Sequence, residues 1–369
     1  MHNKHLTILH TESSCGWGGQ EIRILTESTG MVERGHNVIL ICPEQAPISQ
    51  NAREKGLTVV NLPIARKNLK GLFAVRRWLS KNRVDVINTH SSTDSWLIAL
   101  ACKLLRTPPP IVRTRHVSAP ISNNAPTRWL YTKAAKFIVV TGEQLRQTMI
   151  ENNQFPADKI KSIKTGIDNH YFVPGDRVSA RRRLGLPLGS FIVGIVATLR
   201  SWKGHQYLIE AFSKLDIEGA HLVMVGDGPQ RENITQQIDS LGLRDKVTMP
   251  GNQSDVVPWL QAFDIFILPS YANEGFPQSI VQAMMCQIPV ISTPIGSTAE
   301  SVKNEQTGLM IEPKNVEDIV NSINRLHDEA ELREEMAANG RALALEKFTR
   351  EIMLTEMEEI FYRISATNR

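Results

Sequence analysis

Short, near-continuous apolar runs rich in Val and Ile alternate with stretches of helical spacing along this chain, and the pattern occurs twice. In the first half the runs are LTILH (6–10), NVILIC (37–42), TVVNL (58–62), DVINT (85–89), IVRTRH (111–116) and KFIVVT (136–141). In the second they are FIVGIVAT (191–198), AHLVMVG (220–226), KVTMP (246–250), DIFILP (264–269), IPVIS (288–292) and TGLMIE (307–312). Runs of this kind suit parallel strands buried on both faces. Between them, Tyr207, Leu208, Ala211, Phe212 and Leu215 fall on one helical face. Strand–helix alternation, twice over, predicts an α/β fold of two Rossmann-like, doubly wound domains facing a cleft. A chain of 369 residues is long enough for each to bury its own core. The Pro- and Gly-bearing stretch 166–190 marks the boundary. A last helical pattern, through Met353, Met357, Ile360, Phe361 and Ile364, has no partner that spacing alone identifies.

The composition, 41% hydrophobic and 22% charged, is that of a soluble globular protein. The first residues, MHNKHLTILHTESS, hold no apolar stretch long enough for a signal peptide. WLIALACKLL (96–105) is interrupted by Lys103 and is too short to span a membrane. Cys15, Cys42, Cys102 and Cys286 lie far apart, without metal or redox spacing, which predicts reduced thiols and a cytoplasmic location. The net charge of +4 is unevenly spread. Residues 1–175 carry 23 basic and 12 acidic side chains, and residues 176–369 carry 19 and 26. A basic half joined to an acidic one suggests that the first half meets something anionic. No recognisable nucleic-acid module accompanies it, so nucleic acid is not expected as a partner.

Open α/β sheets bind ligands at the carboxyl ends of their strands, so the loops there are where chemistry is sought. The first strand runs into ESSCGWGGQE (12–21), where Gly16, Gly18 and Gly19 let backbone N–H groups approach an anion at a helix N-terminus. Glu21 stands where a dinucleotide fingerprint needs its third glycine, which argues against NAD or FAD. ATLRSWKG (197–204) places Arg200 and Lys203 before a helix, where both could clamp a pyrophosphate. Gly226-Asp227-Gly228-Pro229 is a ligand loop or a tight turn. PSYANEGFPQSIVQAMM (269–285) holds Glu274 beside the helix that starts near Pro277. Its oxygens could accept two sugar hydroxyls, or it could cap the helix. His90 and His116 each close a strand and could donate to a sugar hydroxyl or phosphate. No metal-ligand cluster or P-loop lysine motif is visible, and no metal is expected.

GGQE (18–21), KTGIDNHYFVPG (164–175), Lys203-Gly204 with LIEAF (208–212), VGDGP (225–229), EGFPQSIVQAMMCQIPVISTPIGSTAES (274–301) and TGLMIEP (307–313) occur in this order. In that order and spacing the chain resembles the retaining, metal-independent glycosyltransferases of family four, which have the GT-B fold. The resemblance implies that Glu274 contacts donor-sugar hydroxyls and Lys203 grips the diphosphate. It places His116 near the reacting centre and Gly18 and Gly19 on the phosphate side. Phe276, Pro277 and Gln278 match the segment whose N–H groups meet sugar and diphosphate. It also implies that the last helix crosses back, giving an acceptor domain of 1–170 with 350–369 and a nucleotide-sugar domain of 171–349. Three positions depart from the family pattern. Gln282 replaces the acid that receives the ribose diol, Thr198 stands where an arginine is common (Arg200 is the substitute), and Gly296-Ser297 replaces a double glycine.

The expected partners are therefore a nucleotide-sugar donor and a glycan or lipid-linked acceptor, with no cofactor beyond the donor itself. Retention through front-face attack, with the leaving phosphate helping to deprotonate the acceptor, is what the resemblance implies. ARKNLKGLFAVRRWLSKNR (65–83) sets Leu69, Leu72, Phe73, Arg76, Arg77, Trp78 and Leu79 on a helix. Basic residues beside aromatic ones suit an anionic membrane surface, which Trp96, Trp129 and Tyr131 with Arg128 and Lys133 would extend. The alternative is that Phe73 and Trp78 are core. Membrane contact would make the protein a peripheral enzyme of lipopolysaccharide or capsule assembly. A nucleotide-sugar epimerase and a non-catalytic partner subunit are the competing functions.

Overall fold

The structure, a computed structural model, describes residues 5–117, 119–272 and 274–366. Lys4 and the last three residues of the 350–369 segment lie outside them. The chain divides into two compact units, Met1–Gly166 with Arg350–Arg369, and Ile167–Thr349.

The first unit is built on β1 (Thr7–Thr11), β2 (Asn37–Cys42), β3 (Thr58–Asn61), β4 (Val86–Thr89), β5 (Ile111–Arg115), β6 (Ala135–Val140) and β7 (Ile160–Ser162). These form one sheet in the order β3-β2-β1-β4-β5-β6-β7, with every pairing parallel. One face packs on Val75, Leu79, Leu97, Ile98 and Leu145. The run at 96–105 is thus part of a core helix, Ser92–Lys103. The other face presents Ile8, Val86 and Val112 to Met353, Met357, Ile360 and Phe361 of the helix Arg350–Ala366. Full burial of such side chains stabilises by roughly 1.5–3 kcal/mol each. That helix crosses the helix Gly19–Glu33 at Gly30, where a Cβ would lie 2.3 Å from Leu354. Ion pairs of Arg34 with Glu351 and Glu358, at 2.6 and 2.8 Å, line the same seam.

The second unit repeats the plan with β8 (Ile192–Val196), β9 (His221–Val225), β10 (Val247–Gly251), β11 (Ile265–Leu268), β12 (Val290–Ser292) and β13 (Gly308–Met310). Their order is β10-β9-β8-β11-β12-β13, again all parallel. Val193, Ile195, Leu222, Val223, Met224, Ile265, Phe266 and Ile267 are wholly buried, as a sheet covered on both faces requires. In each unit the strand order reverses beside the first strand, between β1 and β4 and between β8 and β11. A crevice outside the carboxyl ends opens at such a switch point.

Candidate active site

In the second unit the loops after β8 and β11 meet at the switch point. The β8 loop passes through a single 3₁₀ turn, Ser201–Lys203, before the helix His205–Ser213. The β11 loop leads to the helix Gln278–Met285. Gly204 joins the two loops closely: at φ +79° its Cβ would lie 2.1 Å from the Pro269 carbonyl oxygen. Lys203 Nζ reaches Glu274 Oε1 at 2.6 Å, and the Ser270 hydroxyl donates to the same oxygen at 2.6 Å. Glu274 is buried at 5% exposure while the Lys203 side chain keeps 20%. Oε1 is thus committed within the protein, and Oε2 lies outside both bonds. Glu274 does not cap the helix, which has no side-chain cap and begins at Pro277 as its N-cap residue.

Phe276 and Pro277 are buried, while Gln278 and Gln282 are half-buried on the first turns of that helix. Phe276 packs against Phe348, with ring centroids 5.2 Å apart. Behind the loop, Gly296 adopts φ +61° with its Cβ position 2.0 Å from the Glu274 carbonyl oxygen, and Ser297 N–H donates to Gly275. Arg200 is exposed, its guanidinium 5.3 Å from the Trp202 ring centroid. It is not brought to the Lys203–Glu274 pair. Gly226 and Gly228 are tight for a structural reason: Cβ atoms there would meet Ala197 O at 2.0 Å and Leu199 O at 2.6 Å. They let the loop after β9 lie against the loop after β8.

In the first unit the helix Gly19–Glu33 starts directly after Gly18, whose φ of −178° is extended backbone. A Cβ at Gly18 would make only ordinary contact with Glu21, so the protein's own packing does not demand glycine there. Beneath this loop Glu12 is buried. It accepts from Gln20 and Ser91 and, at 2.7 Å, from the Ser14 N–H. Burial, with the neighbouring Glu12 carboxylate as a lesser cause, raises Glu21 to about 6. His116, just past β5, is half-buried and contacts His90 at 3.0 Å, which contacts His10 at 2.9 Å. Burial holds His90 and His116 well below their ordinary value, so their rings are neutral. Glu12, His10 and Ser270 were not singled out from the sequence. The signal for His10 was present, since LTILH ends in histidine as the β4 and β5 segments do.

The basic surface also takes form in the first unit. Asn68 caps the helix Leu69–Lys81, which buries Gly71, Val75 and Leu79. Leu69 and Phe73 are exposed at 69% and 55%, beside exposed Arg76 and Arg77, so Phe73 is not core. Trp78 is half-buried against the core. Trp96 and Trp129 stack at 6.0 Å, with Lys67 and Lys103 over their rings. Arg128 and Lys133 are exposed. Tyr131 corrects the expectation that it extends this surface. At 4% exposure it lies in the core, stacked on Phe155 and 4.8 Å from the Arg113 guanidinium. Among the described residues no helix is long and apolar enough to cross a membrane. Cys15 is exposed, and Cys42, Cys102 and Cys286 are buried and free.

Residues 17–171 match the model of Glycosyltransferase Family 4, and residues 176–343 match that of Glycosyl transferases group 1. The chain belongs to this family of glycosyltransferases. It is 27% identical to the Escherichia coli UDP-Gal:alpha-D-GlcNAc-diphosphoundecaprenol alpha-1,3-galactosyltransferase, over 79% of this chain and 80% of that one. Other curated relatives, at 27–29% identity, are matched over about half of their own length, from 49% to 55%. Among solved structures, a glycosyltransferase from Rickettsia africae superposes with a TM-score of 0.88 at 24% identity, covering 98% of this chain and 99% of that one. Anabaena HepE in complex with UDP-glucose does so with a TM-score of 0.87 at 22% identity, covering 97% and 100%. The shared fold is the two-domain GT-B architecture.

Proposed function

We propose that the protein is a retaining glycosyltransferase that moves a hexose from a nucleoside-diphosphate sugar to a glycan or lipid-linked acceptor in cell-surface polysaccharide assembly, lipopolysaccharide included. The observation that carries this reading is the Lys203–Glu274–Ser270 cluster at the switch point of the second unit. An ammonium has three N–H donors, and Lys203 spends one on Glu274. The other two serve the donor's diphosphate, whose developing negative charge is what catalysis must stabilise. Glu274 Oε2 accepts from a sugar hydroxyl. The N–H groups at the start of the helix Gln278–Met285 supply further positive potential. No step of this mechanism calls on a metal. Gly18 and Gly19, at the other helix N-terminus, leave room for a phosphate to approach the backbone. His116 acts at the reacting centre.

In the reaction the bond from the anomeric carbon to the diphosphate oxygen breaks, with its electron pair leaving on phosphate. The acceptor oxygen bonds to the same face of that carbon, and its proton passes to the departing phosphate oxygen. The names of the relatives support a UDP-sugar donor and a diphosphoundecaprenol-type acceptor. Such an acceptor lies in a membrane, and the exposed Leu69, Phe73, Arg76 and Arg77 with the Lys-capped Trp96–Trp129 pair suit an anionic bilayer face. Absence of binding to anionic vesicles at low salt in a flotation assay would remove that part.

The test of transfer is incubation with UDP-galactose or UDP-glucose and GlcNAc-diphosphoundecaprenol, followed by mass spectrometry of the lipid. A gain of one hexose, lost in Glu274→Ala, supports the reading. Conversion of the nucleotide sugar without acceptor would instead make the protein an epimerase. Gln282 favours one other reading, a non-catalytic partner subunit, and neither binding nor turnover of any nucleotide sugar would establish it.

A further inference from the structure

Three adjacent strands of the first unit each bring a histidine to their carboxyl end, His10 on β1, His90 after β4 and His116 after β5. His10 pairs in register with Asn88 and Asn88 with Val112. Steps of two residues therefore keep the three imidazoles on one face of the sheet, rising diagonally from strand to strand. Neighbouring strands lie about 4.8 Å apart, a gap that one imidazole bridges. His10 Nδ1 lies 2.9 Å from His90 Nε2, and His90 Nδ1 lies 3.0 Å from His116 Nε2. Ring centroids are 5.2 Å apart in both pairs, with 14° and 32° between planes. Such short N···N contacts at that centroid separation set the rings edge to edge, as N–H···N bonds require.

The row ends on a buried carboxylate. His10 Nε2 faces Glu27 Oε1 at 3.9 Å, beyond hydrogen-bond reach and with no hydrogen-bond partner, and Asn88 Nδ2 donates to that oxygen at 3.1 Å. Arg23 Nε lies 3.8 Å from Glu27 Oε2. His10, Asn88, Glu27 and Arg23 are all fully buried. Asp94 and Arg113, also beside the row, are partly engaged elsewhere, with Asp94 Oδ1 and Arg113 Nε left without a hydrogen-bond partner. Asp94 Oδ2 accepts from the His90 backbone N–H and the Thr11 hydroxyl, and Arg113 donates to Ser91 and Ser95.

A neutral imidazole has one N–H and one lone pair. Two such bonds in series allow only two proton arrangements: every N–H points toward Glu27, or every N–H points toward His116 Nδ1. The ends of the row choose between them. An N–H aimed at a carboxylate 3.9 Å away in a dry interior is favoured over a lone pair aimed at it. We propose that His90 and His10 are positioning residues which, with Glu27, fix His116 as the tautomer protonated on Nε2, with an unprotonated Nδ1. His116 then accepts a hydrogen bond from a reactant hydroxyl and does not donate one. This inference rests on the reading of His116 as a residue of the reacting centre. The low values of the three imidazoles agree with it, His10 being held down to about 3 by burial, because a charged ring would break the relay of single protons.

The test is a long-range ¹H–¹⁵N correlation spectrum of the full chain labelled with ¹⁵N-histidine, recorded above the Glu27 value of about 7. Single His→Gln variants assign the rings. The expected wild-type spectrum shows His116 with Nε2 protonated and Nδ1 bare, and His90 and His10 alike. Glu27→Leu removes the acceptor and shifts His116 toward the Nδ1-protonated tautomer, a change that loss of packing alone does not make. A wild-type His116 protonated on Nδ1, or one exchanging evenly between tautomers, overturns the proposal even if no variant folds. A transfer assay of His116→Ala bears on the role of His116 alone, so the spectrum and the assay fail independently.

Discussion

Lys203 Nζ stands 2.6 Å from Glu274 Oε1 and ties the loop after β8 to the loop after β11 where the strand order of the second unit reverses. The pair is structural, and in the proposed function it is also the donor site. Lys203→Met leaves a buried carboxylate with only the Ser270 hydroxyl on Oε1, at a cost of about 1–3 kcal/mol. Urea unfolding should show that the double variant Lys203→Met/Glu274→Gln loses less than the sum of the singles. Additive losses would mean that the two side chains do not interact.

Transfer should be more sensitive than stability to Glu274. Glu274→Gln keeps the volume and one acceptor but loses the charge, which weakens a charged hydrogen bond by about 1.5–3 kcal/mol. The expected fall in kcat/KM is roughly 10- to 100-fold.

Gln282 is half-buried four residues into the helix Gln278–Met285. Restoring an acid there adds a charged, two-oxygen acceptor for a ribose diol. Calorimetry should show Gln282→Glu binding the preferred nucleotide about tenfold more tightly, roughly 1.4 kcal/mol. Unchanged affinity would place the ribose elsewhere.

Two glycines in the left-handed region separate backbone strain from loop position. Gly219, at φ +69°, has open space at its Cβ position, whereas Gly296, at φ +61°, meets Glu274 O at 2.0 Å. Gly219→Ala should cost about 1 kcal/mol and leave transfer intact. Gly296→Ala should displace the Glu274 loop and abolish transfer, as parallel melting and activity measurements would show.

Acid stability follows from buried groups of opposite sign. Burial lowers His10 and His205 from 6.5 to about 3, so below pH 6.5 the unfolded chain takes up protons that the native chain refuses. Each then costs about 1.4 kcal/mol per pH unit as pH falls. Burial raises Glu27 from 4.5 to about 7 and raises Asp94 as well, so between those values the native chain holds protons that the unfolded chain has released. That contribution grows as pH falls to about 4.5, and offsets the histidines. Burial holds His90 and His116 down in the same way, so four histidines outweigh the raised acids Glu21, Glu27 and Asp94. Urea midpoints should therefore fall gently from about pH 6.5 to about 4.5 and steeply below it, where the acids no longer offset the histidines. A midpoint that rises as pH falls from about 6.5 to about 4.5, or no steepening below about 4.5, would contradict this balance.

The Val/Ile runs made most strands readable, because a strand buried on both faces must be apolar throughout. β7 escaped: it has three residues, IKS, at the edge of the sheet, and only Ile160 is fully buried. Glu274 and Lys203 were legible as loop residues after strands, and their ion pair was not, since 71 residues separate them. Tyr131 misled because an aromatic beside basic residues reads alike on a surface and in a core; its stacking on Phe155 decides. Arg200 was legible as a loop residue before a helix, and its ring contact was not. A guanidinium two residues past Thr198 folds onto its own neighbour Trp202, a choice that no spacing rule encodes. The histidine row required knowing that β1, β4 and β5 are adjacent, which sequence order conceals.

The central claim is that the Lys203–Glu274 loops hold a nucleoside diphosphate. The most direct measurement is thermal unfolding of wild type and Lys203→Ala, each against its own ligand-free midpoint, with millimolar UDP, GDP, ADP or CMP. A ligand at about 100 times its dissociation constant adds roughly 2.7 kcal/mol. One nucleoside diphosphate should raise the wild-type midpoint, and Lys203→Ala should lose most of the rise. No rise with any diphosphate, or an equal rise in Lys203→Ala, would contradict that claim.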